Sequence, residues 1–345
     1  MKVTTRHLKL VMAIIAITCA IVFVPWNVIF AWIRPLPSTV QEQVDQAIGY
    51  GFDGMIVYVD QKGEVPALYA AGWKNREKKL PADPRALFKI ASISKLYVAT
   101  AAAKLINAQK ISLDDVLTDY FPELVGRIEY ADQITLRMLL QHRSGIPDWI
   151  EDPEFPWTRS LTELDEVLEL ILDDPAEFKP GQRYDYSNTN YLLIGNILDK
   201  VLGYSHRSYI ETAILAPLGL TQTFGLLSEV DSSQVVSGYI TGYEGDMKML
   251  DFVSPSGAMV ATAEDVGVFL RALNTGTLLS PEEQAVYSSI YEYGHTGLLP
   301  GYQSIARYHK EIDAVVVQFV NSSGGNRWEL SEIAYSRIIK ILAKK

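Results

Sequence analysis

Cysteine and histidine are scarce in this chain. Cys19 is the only cysteine among 345 residues, so an intrachain disulfide is excluded and the fold must be held by its core. The histidines are too scattered to suggest a zinc site; they are His7, His142, His206, His295 and His309. Positive charge is also in short supply, with 31 basic against 41 acidic residues, which argues against nucleic acid as a partner.

Several common enzyme signatures are missing as well. The sequence has no Gly-x-Ser-x-Gly turn for an α/β-hydrolase nucleophile and no His-Glu-x-x-His zinc motif. It also has no phosphate-binding Gly-x-x-x-x-Gly-Lys loop. The sequence therefore implies no cofactor and no metal site.

The first of three motifs that carry chemistry is Ser92-Ile93-Ser94-Lys95. It opens an alanine-rich stretch with helical spacing of apolar residues, which predicts a buried helix with Ser92 in its first turn. Residues three apart share a helix face, so the Lys95 amine can reach the Ser92 hydroxyl. Burial and the positive helix end should lower the pKa of Lys95 and leave neutral amine to accept the serine proton. A helix cap at Ser92 beside a solvated Lys95 is the alternative.

The second motif, Tyr186-Ser187-Asn188, precedes an apolar helical stretch that ends at Gly203. Tyr186 is therefore predicted at a loop-to-helix junction. A tyrosine held near a lysine ammonium would be stabilised as a phenolate and could pass a proton to a leaving group. Asn188 could hydrogen-bond substrate amide groups. Plain packing of Tyr186, one of 19 tyrosines, is the alternative.

The third motif is His295-Thr296-Gly297, which is followed by Leu298 in a glycine-flanked stretch. Such a stretch suits a strand along which an extended substrate backbone can pass closely. All four residues are therefore candidates for substrate binding. His295 could instead be an ordinary strand histidine.

Taken in order, these motifs resemble the serine β-lactamase and penicillin-binding protein superfamily. The resemblance is to the branch of class C-type β-lactamases, D-alanyl-D-alanine carboxypeptidases and esterases, and it covers roughly residues 45–325. Further matches lie in residues 113–115, 139–148, 180–188 and 255–265. The resemblance implies an α+β fold, in which an antiparallel sheet is flanked by helices and the site lies between the sheet and a helical part.

The resemblance also assigns roles. It implies that Ser92 is the acylated nucleophile, Lys95 its general-base partner and Tyr186 the proton relay, and that the Ser92 and Leu298 amides form the oxyanion hole. Where the β-lactamases usually carry Lys-Thr-Gly, this chain has a histidine at position 295. A histidine of ordinary pKa is mostly neutral at pH 7, so attraction for a β-lactam carboxylate is weaker.

The N-terminus predicts a location for this chemistry. An uncharged run of 24 residues, 10–33, follows three basic residues and is long enough to cross a bilayer. The positive-inside bias places the start in the cytoplasm and the rest outside, with Trp26 and Trp32 as interfacial anchors. We therefore predict one transmembrane helix within residues 1–34 and a hydrolase domain over 35–345. A cleaved secretory signal is the alternative.

Hydrophobic periodicity outlines the rest of the chain. It predicts two antiparallel hairpins, an all-helical insertion over about 113–227 and a closing amphipathic helix over 328–342. The predicted hairpins pair residues 55–59 with 68–73 and residues 303–308 with 314–320.

We expect a single-pass, extracytoplasmic serine hydrolase that forms an acyl-enzyme on Ser92 and cleaves an amide or an ester. A cell-wall-derived D-amino-acid peptide is the first substrate expected, an acyl ester the second and a β-lactam the third. The alternative of another class is a penicillin-binding-type sensor that turns over poorly. An intact catalytic set argues against a pure binder.

Overall fold

The computed structural model describes residues 9–15, 18–19, 24–157, 159–161 and 164–344. Its strands are, in chain order, β1 (Gly54–Gln61), β2 (Ala67–Asn75), β3 (Leu80–Pro81), β4 (Phe88–Lys89), β5 (Thr223–Phe224), β6 (Tyr239–Ile240), β7 (Val260–Ala261), β8 (His295–Leu299), β9 (Tyr302–His309), β10 (Ala314–Val320) and β11 (Ser322–Ser323). Its helices are α1 (Trp26–Ile33), α2 (Val40–Ile48), α3 (Ser94–Asn107), α4 (Leu117–Tyr120), α5 (Leu136–Leu140), α6 (Leu164–Glu169), α7 (Asn188–Leu202), α8 (His206–Ile210), α9 (Ala216–Leu218), α10 (Ala263–Thr275), α11 (Pro281–Ile290) and α12 (Arg327–Leu342).

The main sheet has six strands in the order β3-β2-β1-β10-β9-β8, and every neighbouring pair is antiparallel. β10, a run of β-branched and aromatic residues, lies at its centre and is buried along its whole length. Both predicted hairpins are confirmed, since Val59 pairs with Ala67 and Ala314 pairs with His309.

Helices cover both faces of this sheet. Successive side chains of a strand point to opposite faces, so β10 contributes apolar side chains to a core on each side. Val317 and Phe319 of β10 pack into the core that contains α3 and α10. Val316 and Val320 pack into a second core, formed with α2 and α12. The mixed α/β architecture with an antiparallel sheet and flanking helices is thus confirmed, and the face under α3 is the one that carries Ser92.

The predicted helical insertion differs from the structure at its end. The named elements between residues 113 and 221 are helical, but β5 lies at Thr223–Phe224 and pairs with β7 in a second, three-stranded sheet. A strand of two residues is too short to leave a periodic signal in the sequence. This small sheet also contains β4, which leads directly into the Ser92 turn.

The predicted membrane helix lies partly outside the described residues, which omit 1–8, 16–17 and 20–23. Within the described part, Pro25 precedes α1, and the Asn27 side chain hydrogen-bonds Asn326 at the start of α12. Among the helices that the structure describes, none is both long enough and apolar enough to cross a membrane.

Candidate active site

Ser92 lies in a single 3₁₀ turn, Ala91–Ile93, that runs directly into α3. Ala91 has a φ of 52°, a left-handed conformation that is costly for a residue with a side chain. The Ser94 hydroxyl holds this turn in place by donating to the Ala91 carbonyl at 2.7 Å and accepting from the Met259 amide at 3.2 Å. The sequence motif thus forms a rigid, strained turn that presents Ser92 to the solvent side.

Lys95 is fully buried beneath Ser92, and its hydrogen bonds suit a base. Its Nζ lies 3.1 Å from Ser92 Oγ, 2.8 Å from Asn188 Oδ1 and 2.8 Å from the Ser256 carbonyl oxygen. The two carbonyl oxygens can only accept hydrogen bonds. A neutral amine has two N–H bonds and one lone pair, so these acceptors take both N–H bonds and leave the lone pair for the Ser92 hydroxyl.

The electrostatic surroundings of Lys95 favour the same protonation state. Burial lowers the pKa of Lys95 to about 7, and the nearby Asp148 carboxylate opposes part of that shift. A substantial share of neutral amine is therefore present near pH 7, as the sequence led us to expect.

Tyr186 lies against Lys95, with the lysine Nζ 4.9 Å from the centre of the tyrosine ring. Burial raises the pKa of Tyr186 well above its usual value, although a hydrogen bond with Ser92 opposes the shift. The predicted phenolate is therefore wrong, because desolvation outweighs the hydrogen bond with Ser92, the one contribution that lowers the pKa. Tyr186 stays protonated and can serve as a proton donor.

The His142 ring stacks on the Tyr186 ring and holds it in position. The two rings stack at 4.5 Å with an angle of 28° between their planes, and His142 is almost fully buried. Its Nδ1 accepts a hydrogen bond from the Ser187 amide at 3.2 Å. Burial lowers the pKa of His142 to about 3, helped by the charge of Lys95, so the ring is a neutral support. His142 therefore packs as a support for Tyr186, a contact that the sequence did not predict.

Asp148 is a second residue that sequence reasoning missed. Its carboxylate accepts a hydrogen bond from Asn188 Nδ2 at 2.8 Å, so the amide must turn its oxygen toward Lys95. Without Asp148 the amide could present its NH₂ group to Lys95 instead. Burial raises the pKa of Asp148, and hydrogen bonds from the Asn188 and Ile150 amides oppose that rise. The only signal in the sequence was its place in the matched stretch 139–148.

The third motif forms β8, the edge strand of the main sheet, beside the Ser92 turn. A Cβ atom on Gly297 would lie 2.5 Å from the Ile90 carbonyl oxygen and 2.9 Å from the Ala91 side chain. Only glycine fits this approach between strand and turn. Leu298 follows with its side chain exposed toward the cleft.

His295 is neutral in this setting. Burial lowers its pKa to about 4, with a further contribution from the positive charge of Lys95, while a contact between Nδ1 and the Thr296 carbonyl opposes the shift. Its ring lies 6.0 Å from the Tyr186 ring. His295 therefore offers no cation to a substrate carboxylate at neutral pH.

One cleft of about 980 Å³ brings the predicted residues together. The predicted site residues that line it are Ser92, Tyr186, Asn188, His295, Thr296, Gly297 and Leu298. Lys95 lies behind them, in contact with Ser92. Across the described ranges, no three His, Cys, Asp or Glu side chains cluster closely enough to hold a metal ion. The arrangement can activate a serine hydroxyl and protonate a departing group.

Comparisons with known proteins agree with this geometry. A model of the beta-lactamase family matches residues 36–290. The Protein flp of Staphylococcus aureus (strain NCTC 8325 / PS 47) is 28% identical over 275 residues, which cover 76% of this chain and 53% of that protein. A putative D-alanyl-D-alanine carboxypeptidase of Escherichia coli (strain K12) is 26% identical over 305 residues, which cover 83% of this chain and 63% of that protein. This chain thus spans only about half to two thirds of these relatives.

Solved structures share the fold. The D-amino acid amidase of Ochrobactrum anthropi SV3, complexed with L-phenylalanine amide, superposes with a TM-score of 0.78 at 24% identity, covering 88% of this chain and 97% of that one. A penicillin binding protein from Bacillus halodurans superposes with a TM-score of 0.72 at 22% identity, and the superposition covers 89% of this chain and 99% of that one. Because the family model spans most of the sequence and the site has the make-up of a serine hydrolase, the chain belongs to the beta-lactamase family.

Proposed function

We propose that this protein hydrolyses an amide or ester bond through an acyl-enzyme on Ser92. One observation carries the proposal: Lys95 Nζ lies 3.1 Å from Ser92 Oγ and 2.8 Å from the carbonyl oxygens of Asn188 and Ser256. In the neutral amine these two oxygens can take both N–H bonds and leave the lone pair for the Ser92 hydroxyl. Burial lowers the pKa of Lys95 to about 7, so this neutral form is present near neutral pH.

The proposed acylation step follows from the positions of the three groups. Lys95 takes the proton as Ser92 Oγ bonds to the substrate carbonyl carbon, and the Ser92 and Leu298 amides stabilise the oxyanion. Tyr186, which stays protonated, gives its proton to the leaving nitrogen or oxygen as the scissile bond breaks and regains a proton from Lys95. Water then attacks the ester carbon and returns the Ser92 hydroxyl.

For the substrate we propose a D-amino-acid amide or peptide, with acyl esters as the second class. The names of two relatives, a putative D-alanyl-D-alanine carboxypeptidase and a D-amino acid amidase, support this choice. A β-lactam is less favoured, because neutral His295 cannot supply the permanent cation that a lysine would.

We further propose that the hydrolase acts outside the cytoplasm, held at the cell membrane by residues 1–34. The uncharged run 10–33 supports this placement, and release after cleavage of a secretory signal is the alternative. Fractionation of cells that express the full chain tests it: recovery in the cytosolic fraction would contradict both.

A substrate panel tests the catalytic proposal. It contains a D-Ala-D-Ala peptide, D-phenylalanine amide, a p-nitrophenyl ester and nitrocefin, assayed with wild type and with Ser92→Ala. Turnover of an amide, peptide or ester that depends on Ser92 is expected. Acylation of Ser92 without turnover of any substrate would favour a sensor, and turnover that survives in Ser92→Ala would contradict the mechanism.

A further inference from the structure

Exposed apolar side chains gather at the mouth of the cleft. Of the large apolar side chains that are exposed in the described part of the chain after residue 33, Trp157, Tyr184, Tyr243 and Leu298 line the cleft. The others, which lie elsewhere on the surface, are Val65, Trp73, Leu80, Val125, Tyr204 and Met249. Trp157 exposes 51% of its surface in the cleft. Four exposed apolar side chains that line one concave surface indicate a ligand-binding site, whereas isolated exposed apolar side chains do not.

One side of the cleft is an aromatic wall, formed by Trp149, Phe155, Trp157 and Phe252. The Phe155 ring is its centre, lying 5.0 Å from Trp149, 4.5 Å from Trp157 and 5.7 Å from Phe252 between ring centres. These rings pack edge-on or tilted. Trp149, Phe155 and Phe252 are mostly buried and support Trp157, whose exposed surface is available to contact another ring.

Hydrogen bonds hold the aromatic wall beside the catalytic centre. The Trp149 amide donates to Thr189 Oγ1 at 3.2 Å, next to Asn188. On the other side, backbone hydrogen bonds of Leu161 with Asp251 and Val253 join the segment carrying Trp157 to the one carrying Phe252. The wall is therefore preorganised beside Ser92 and does not have to be assembled by the substrate.

Charge lies at the end of the cleft beside Tyr186 and His295. Among the described residues that line it, the charged side chains are Glu292, just before β8, and Arg307 on β9. Tyr186, the proton donor for the leaving group, faces His295 at that same end. The leaving group therefore belongs at the charged end, and the acyl half of the substrate belongs against the aromatic wall.

We propose that the acyl half of the substrate carries a bulky apolar side chain, preferably an aromatic ring, that binds on the aromatic wall. This inference rests on the proposed acyl-enzyme and names its acyl specificity. Burying one such group in place of a methyl group is expected to favour the bulky substrate about 10- to 100-fold in kcat/KM.

Paired substrates with a constant leaving group provide the test. The p-nitroanilides of D-phenylalanine and D-alanine are compared in wild type, Trp157→Ala and Phe252→Leu, with melting temperatures to check folding. Trp73→Ala is the control, because Trp73 is similarly exposed, at 41%, but lies on β2 outside the cleft.

Wild type should prefer the phenylalanine substrate, and Trp157→Ala should reduce that preference, the ratio of the two kcat/KM values, about fivefold to tenfold. Phe252→Leu should reduce it less, and Trp73→Ala should leave it unchanged. Ser92-dependent hydrolysis with equal preference in wild type and Trp157→Ala would overturn the acyl specificity alone. Absence of any Ser92-dependent hydrolysis would overturn the proposed function as well.

Discussion

Replacing Asp148 by asparagine separates the two effects that this carboxylate has on Lys95. An asparagine at position 148 still offers an oxygen to Asn188 Nδ2, so Asn188 can keep its oxygen toward Lys95. The negative charge that favours protonated Lys95 is lost. The variant should therefore retain the geometry of the site and change mainly the pKa of the base.

The hydrogen bonds set the size of this effect. Two contacts of 2.8 Å, joined through the Asn188 amide, link the Lys95 nitrogen to the Asp148 carboxylate. A separation on the order of 6 Å at an effective dielectric constant of about 20 gives about 2.8 kcal/mol, or roughly two pKa units. Partial exposure of Asp148 screens the charge, so we expect a shift of about one to two units.

The sign of the shift is fixed. Losing the anion destabilises the lysine ammonium, so the pKa of Lys95 falls below its value of about 7 and neutral amine persists to lower pH. The acid limb of the pH profile for Ser92 acylation should therefore move to lower pH.

The assay is the second-order rate of fluorophosphonate labelling between pH 5 and pH 9. Asp185→Asn is the matched control, because Asp185 is exposed and paired with Arg183 at 3.0 Å. Its midpoint should equal that of wild type. A midpoint in Asp148→Asn that is unchanged, or that moves to higher pH, would refute the coupling between Asp148 and the base.

Three further predictions concern residues around the nucleophile. Gly297→Ala places a Cβ atom 2.5 Å from the Ile90 carbonyl, so labelling should slow at least tenfold and stability should fall by about 1–3 kcal/mol; wild-type rates would contradict the close approach. His142→Leu leaves the Ser187 amide without its acceptor and should cost about 1–3 kcal/mol in the free energy of unfolding, so an unchanged denaturant midpoint would speak against the support role. His295 stays neutral above pH of about 4, so KM should be flat between pH 5 and pH 8, and a rise near pH 6.5 that His295→Gln abolishes would show a charged histidine in binding.

The sequence was most informative where a local pattern sufficed. The β-branched runs of β1 and β10 predict their strands, and a glycine with φ of 74° ends α7 at Gly203, as the sequence indicated. The three motifs also converge in space in the predicted combination. Their order along the chain reflects the topology that joins the Ser92 turn, the start of α7 and the edge strand β8 in one cleft.

The remainder depends on contacts between distant segments. Lys95 meets Asn188 across 93 residues and Ser256 across 161, and no periodicity predicts which carbonyl oxygens will face it. The error at Tyr186 has the same origin, because its burial, which raises the pKa, arises only when His142 and α7 pack around the ring. The two-residue strand β5 was likewise visible only as a partner of β7.

The most direct test of the account is intact-protein mass spectrometry after exposure to a fluorophosphonate, followed by peptide mapping. We predict one adduct on wild type, located on Ser92, and none on Ser92→Ala. Ser288→Ala, which changes an exposed serine on α11, should be labelled like wild type. An adduct of the same mass and rate in Ser92→Ala would contradict the claim that Ser92, activated by Lys95, is the nucleophile.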